Sequence, residues 1–131
     1  MIQEQHWLSC DRILVTDEEH HGSVMVDIMK DPDTKEQLHA DALLWALWVD
    51  KPYRKQGVAR QLIEAAEREA KARGCQTMAL EWDDREAESW TARWYERIGY
   101  ETKEFGRHSA LKVKQLIWKI QTQNRKRLSS R

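Results

Sequence analysis

The chain has 131 residues, enough for one domain around one hydrophobic core. Hydrophobic residues make up 40% and charged residues 34%, and no apolar run approaches the roughly 18 residues a membrane span requires. Net charge is zero, but Arg125, Lys126, Arg127 and Arg131 put +4 into the last eleven residues and leave −4 on the other 120. A body of that sign is a poor general binder of nucleic acid, whose phosphates dominate affinity.

The first residues, MIQEQHWLSC, lack the basic and then apolar build of a signal peptide. Cys10 and Cys75 stand in no metal or redox spacing, which suits a reducing cytoplasm. His20, His21, His39 and His108 show no ligand spacing either, so no metal is expected.

In chain order, DRILV (11–15) and SVMVDIM (23–29) read as strands, the second with Val24, Val26 and Ile28 on one face. DEEHHG between them is turn-like, and KDPDTKEQ (30–37) reads as a second polar turn anchored by Pro32. ADALLWALWV (40–49) is apolar at nearly every position after Asp41. It is expected to be a central strand covered on both faces, with Leu43, Trp45, Leu47 and Val49 opposite Ala42, Leu44, Ala46 and Trp48.

After Gly57 the spacing predicts a helix with Val58, Ala59, Leu62, Ile63, Ala66 and Ala70 inward. Arg60, Glu64, Glu67, Arg68 and Lys71 then point outward, and Gly74 ends the helix. TMALEW (77–82) is a strand; 86–98 is a helix with Ala87, Trp90, Thr91, Trp94 and Ile98 as its stripe. Two strands, about 100–106 and 109–120, meet at Gly106. Most of the seven tryptophans are read as core, with Trp45, Trp48 and Trp82 near the site. The expected domain is 1–120, and 121–131, with little to bury, is expected to be a disordered tail.

The chemistry concentrates where the 40–49 strand meets the next helix. A helix N-terminus offers unpaired N–H groups and partial positive charge to an anion. Gly57 lets a ligand approach the backbone, and Arg54 and Lys55 add full charges. The stretch LWVDKPYRKQGVARQLI (47–63) resembles the acetyl-coenzyme A motif of the GCN5-related N-acetyltransferase (GNAT) family. Arg54-Lys55-Gln56-Gly57-Val58-Ala59 fills that motif, with Ala59 where many members have Gly. WYERIGYE (94–101) resembles a second block of the family, and the element order from about 23 to 120 agrees.

The resemblance implies an α/β fold: a mixed central sheet flanked by helices. It implies that the amides of Gln56, Gly57, Val58 and Ala59 hold the pyrophosphate of acetyl-CoA, and that the edge at Leu47, Trp48 and Val49 pairs with the pantetheine arm. The thioester would then sit where this strand splays from the next. Tyr95 matches the tyrosine that protonates the departing thiolate. Many members carry a glutamate on the central strand, but Ala42 to Val49 hold only apolar residues, so Glu81 and Asp83 are the nearest candidate bases. A water chain, or an amine arriving neutral, would also serve. Glu88 and Thr91 replace the Asn and Ala common seven and four residues before the tyrosine.

Four strands and two helices usually precede the phosphate turn, which needs roughly 70 residues at ordinary element lengths. Only 53 precede Arg54, so an early helix is expected to be lost or reduced to a turn. Those helices wall the acceptor site in the family. An open site, or one completed by a second subunit in a homodimer, is therefore implied, with Trp7 and Leu8 filling part of the gap. The implied activity is acetyl transfer from acetyl-CoA to a primary amine by direct attack. The other reading is a non-catalytic CoA-binding regulatory module; a third, a nucleic-acid accessory acting through the basic tail, is the least favoured.

Overall fold

A computed structural model describes residues 1–116. The last part of the strand expected at 109–120, the domain limit at 120 and the tail lie outside the described residues. Seven strands form one sheet in the order β1-β2-β3-β4-β5-β7-β6. They are β1 Ile2–His6, β2 Cys10–Thr16, β3 Gly22–Met29, β4 Ala42–Val49, β5 Thr77–Asp83, β6 Glu101–Phe105 and β7 Ser109–Gln115. All pair antiparallel except β4 with β5. A parallel pair needs a crossover, and α2 (Val58–Ala72) supplies it. The other helices are α1 (Pro32–Leu38) and α3 (Thr91–Arg97), each of seven residues. No helix of the described residues is long and apolar enough to cross a membrane.

The main core lies under α2. Leu62, Ile63, Ala66 and Ala70 pack on Ile13, Val15, Val24, Val26, Leu44, Met78 and Leu80, as the helical stripe requires. Glu67 departs from its expected outward position. Its carboxylate accepts from the buried Tyr100 hydroxyl at 2.8 Å and pairs with Lys114 at 3.1 Å.

The front of the chain corrects several expectations. Residues 32–38 form a helix rather than a turn: Asp31 caps it by accepting from the Asp33 amide, and Pro32 occupies its first turn, where the missing N–H costs nothing. The strand β1 was not foreseen, since all five of its residues are exposed and carry no apolar alternation. β1 joins β2 through the short turn at Trp7, Leu8 and Ser9, so four strands and only one short helix precede the phosphate turn. Trp7 and Leu8 fill no gap there. They are exposed, at the end of the sheet where Cys10 pairs with Met29, while the phosphate turn follows Val49 at the other end.

The sheet face opposite α2 is only partly covered. Ala40, Ala79 and Val113 are buried there with Leu38 of α1, whereas Leu14, Met25 and Leu43 remain half-exposed. The second helix expected at 86–98 begins only at Thr91, and residues 84–90 are turns and bends. None of the tryptophans among the described residues is fully buried; Trp7, Trp45, Trp48 and Trp90 are exposed.

Candidate active site

The centre of the site is a fault in β4. Trp45 pairs with Met25 and Trp48 with Ser23, so two residues, Ala46 and Leu47, span one position of β3. Ala46 has φ +53°, a left-handed conformation unusual for a residue with a side chain. Such a bulge bends the strand and re-aims every side chain beyond it. Leu47 and Val49 therefore join Leu44 on the α2 side, and Trp45 and Trp48 share the open face. This corrects the alternation expected from sequence, as well as the expectation that the whole strand is covered on both faces. Only its first half is.

β4 pairs with β5 from Ala42 to Leu44 and no further. Above Leu44 the two strands part, leaving a cleft of about 300 Å³ lined by Trp45, Ala46, Leu47, Glu81, Asp83, Glu86 and Tyr95 among others. Among the described residues, the edge of Leu47, Trp48 and Val49 that faces β5 therefore has no strand beside it.

The phosphate turn follows. Lys55 has φ +64° and Gly57 φ +86°, so left-handed residues alternate along the turn in the manner of a backbone nest for anions. The first helical bond of α2 runs from the Gln61 amide to the Gly57 carbonyl, and no side chain caps the helix. Among the described residues, nothing accepts from the amides of Lys55, Gln56, Gly57, Val58, Ala59 or Arg60. Apart from its chain neighbours, a Cβ placed on Gly57 would meet no atom of the described residues within 4 Å.

Arg54 serves differently from the free charge expected. Its Nε donates to the Val49 carbonyl at 2.9 Å, and its guanidinium lies over the Trp48 ring at 4.7 Å. It fastens the turn to the strand end. Gln56 likewise turns its amide back to the Pro52 carbonyl at 3.0 Å. Lys55 remains exposed.

Tyr95 lines the cleft from α3, edge-on to Trp94 at 5.0 Å and to Tyr100 at 6.1 Å. Burial raises its pKa above the ordinary 10.0, so the hydroxyl holds its proton at neutral pH. Glu81 is exposed on the opposite side of the sheet from Leu80 and Trp82. Asp83 is engaged: Arg85 donates to it from its backbone amide and guanidinium at 2.8, 3.1 and 2.8 Å, which holds its pKa down at about 2. Two lining residues, Glu86 and Ala87, had no site signal in the sequence, because they come to the cleft through a turn expected to be helix.

The family model of the acetyltransferase (GNAT) domain matches residues 5–102. The chain belongs to the GNAT family. Among solved structures it is similar to an acetyltransferase from Bacillus cereus, 22% identical over 87% of this chain and 74% of that one, with a TM-score of 0.56. It is similar also to the PaiA N-acetyltransferase of Thermoplasma acidophilum in complex with coenzyme A, 16% identical over 82% and 62% of the two chains, TM-score 0.62. A third is the ribosomal-protein-S18-alanine N-acetyltransferase of Escherichia coli, 17% identical over 87% and 74%, TM-score 0.59. At these identities the likeness shows the fold. A search of the curated proteins finds no match. The expected mixed GNAT sheet with flanking helices is thus the observed one, with its front pared down to strands and a single short helix.

Proposed function

We propose that this GNAT domain transfers an acetyl group from acetyl-CoA to a primary amine by direct attack. The observation that carries the reading is the run of backbone amides from Lys55 to Arg60 that meet no acceptor among the described residues, in the turn that follows β4, whose second half lines the cleft. Gln56, Gly57, Val58 and Ala59 would hold the pyrophosphate with backbone N–H groups, with Lys55 beside them and Arg54 bracing the turn. The unpaired edge at Leu47, Trp48 and Val49 would bond the amides of the pantetheine arm, leading the thioester between Trp45 and Tyr95.

In the reaction Glu81 takes a proton from the incoming ammonium, directly or through water, and the amine nitrogen bonds to the carbonyl carbon. The carbon–sulfur bond breaks as the Tyr95 hydroxyl gives its proton to the sulfur. The second proton, shed by the nitrogen as it becomes an amide, returns through water to the Tyr95 phenolate, and Glu81 releases its own to solvent. With ordinary values of ~8.5 for a thiol and ~10 for a tyrosine the transfer is mildly uphill, and the burial of Tyr95 adds to that slope. Asp83, neutralised by Arg85, is the poorer base. Glu81 faces the uncovered side of the sheet and Tyr95 comes from the α2 side, so the acceptor would enter past Trp45 and Trp48 across the open face.

Calorimetry with coenzyme A, followed by thiol release from acetyl-CoA with pools of polyamines, aminoglycosides, amino acids and peptides, tests the reading. Binding together with amine-dependent release is expected. Binding without release from any pool would leave the domain a CoA-binding module, and no binding would remove the cofactor assignment.

A further inference from the structure

Thr91 stands where the family commonly has Ala, and the structure gives its hydroxyl two partners. It accepts from the Trp82 indole Nε1 at 2.8 Å and donates to the Glu88 carbonyl. Trp82 belongs to β5, one wall of the cleft, and Thr91 opens α3. Tyr95 follows Thr91 by four residues and so shares its helix face one turn on.

This matters because α3 is short and its apolar residues Trp94 and Tyr95 are only half-buried against the main core. The helix has seven residues, none of them buried, and no side chain caps its N-terminus. A helix so short is marginal by itself. Its far end is tied by a second polar contact, from the buried Lys112 ammonium to Glu96 at 3.4 Å, with Thr102 holding the same ammonium at 2.8 Å. Two hydrogen-bonded ties add direction to that partial packing and register this helix on the sheet.

We propose that Thr91 is a positioning residue: the hydrogen bond from Trp82 sets where α3 begins and thereby where the Tyr95 hydroxyl stands in the cleft. The proposal rests on Tyr95 as the proton donor. A displacement of about 1 Å in a reacting group can cost on the order of 10² in rate; a methyl in place of the hydroxyl removes the tie without changing side-chain size.

Thr91→Val and Thr91→Ser, made in the full chain, separate the hydroxyl from the shape. Thr91→Val should lower kcat by about 10- to 100-fold with affinity for coenzyme A within about twofold, and Thr91→Ser should restore most of the rate. Because the chain has only three tyrosines, ring-labelled tyrosine NMR reads the position directly, with Tyr95→Phe assigning the signal. The Tyr95 resonance should shift or split in Thr91→Val while that of Tyr53 stays put. An unmoved Tyr95 resonance, or Thr91→Ser as impaired as Thr91→Val, overturns the proposal. If the wild-type protein acetylates no amine, the functional reading fails by itself, and the resonance still decides whether Thr91 places Tyr95.

Discussion

The helices α2 and α3 both pack on the core of the sheet and are held there in different ways. α2 buries Leu62, Ile63, Ala66 and Ala70 against the sheet over fifteen residues. α3 has no fully buried residue: Trp94 and Tyr95 pack half-buried against the core, and hydrogen bonds from Trp82 and Lys112 tie its two ends. Hydrophobic packing is strong but non-directional, and at the N-terminus of α2 it only has to present a row of backbone amides. Hydrogen bonds are weaker and directional, which suits a helix that must aim one hydroxyl. On the proposed function, the anchoring of the cofactor and the aim of the acid are therefore separable.

The sharpest test of that division pairs one substitution from each helix. Tyr95→Phe keeps the ring and its edge contacts to Trp94 and Tyr100, so kcat should fall by about 10²–10⁴ with coenzyme A affinity unchanged. Gly57→Trp fills the space above the nest. Losing two charge-assisted bonds of ~1.5–3 kcal/mol each should weaken coenzyme A binding by at least about 100-fold. Gly57→Ala carries the same positive-φ strain without the bulk and serves as its control. If both properties fall together in Tyr95→Phe, the two helices do not divide the work.

A smaller effect separates the two carboxylates of β5. Glu81→Gln should lower kcat about 10²-fold at neutral pH and recover as pH climbs toward the amine's own pKa of about 10.4, where the acceptor arrives neutral. Asp83→Asn should leave kcat within about twofold, because Arg85 already engages that carboxylate. Its effect belongs to stability: the folded pKa is depressed from 3.8 to about 2, so the stabilisation is present above pH 3.8 and lost as pH falls toward 2. An inactive Asp83→Asn beside an active Glu81→Gln would exchange their roles.

The same contrast explains what could be read in the sequence. The packed helix was legible to within a residue, because Leu62, Ile63, Ala66 and Ala70 repeat at helical spacing and Gly57 and Gly74 bracket them. The basic, glycine-containing turn that opens α2 was legible from residue order alone. The features set by tertiary contacts were not. The bulge at Ala46 leaves no mark in an unbroken apolar run, yet it turns Trp48 onto the same open face as Trp45, where β4 parts from β5. Arg54 looks like a phosphate ligand until Val49 and Trp48 are seen to occupy it. The stripe from Ala87 to Ile98 overstated the second helix, since Trp90 and Ala87 have no core to meet. Asp31 and Pro32 did announce α1, as a cap and a first-turn proline, but with no apolar stripe behind them they read as a turn.

The packed end of α2 also predicts how the protein responds to alkali. Cys75 directly follows the helix, its amide bonded to the Ala70 carbonyl, and its thiol is buried in the main core. Burial, then the nearby Asp41 charge, raises its pKa from 9.0 to about 11. An unfolded chain gives up this proton as pH rises through 9.0, whereas the folded one keeps it to about 11. The native state then binds more protons, so the stabilisation is whole below pH 9.0 and is lost as pH approaches 11. The tyrosines Tyr95 and Tyr100 are shifted the same way but from an ordinary value of 10.0, so they act higher. Between pH 9 and 10 the slope belongs to the thiols, chiefly Cys75, with a smaller share from Cys10. Urea denaturation at pH 7.5, 9.5 and 10.5 should show the wild type losing stability more steeply than Cys75→Ala, whatever the cavity costs Cys75→Ala at pH 7.5. Parallel pH curves for the two proteins would mean that the thiol is hydrated in solution and that the packing beneath the end of α2 is looser than its buried residues indicate.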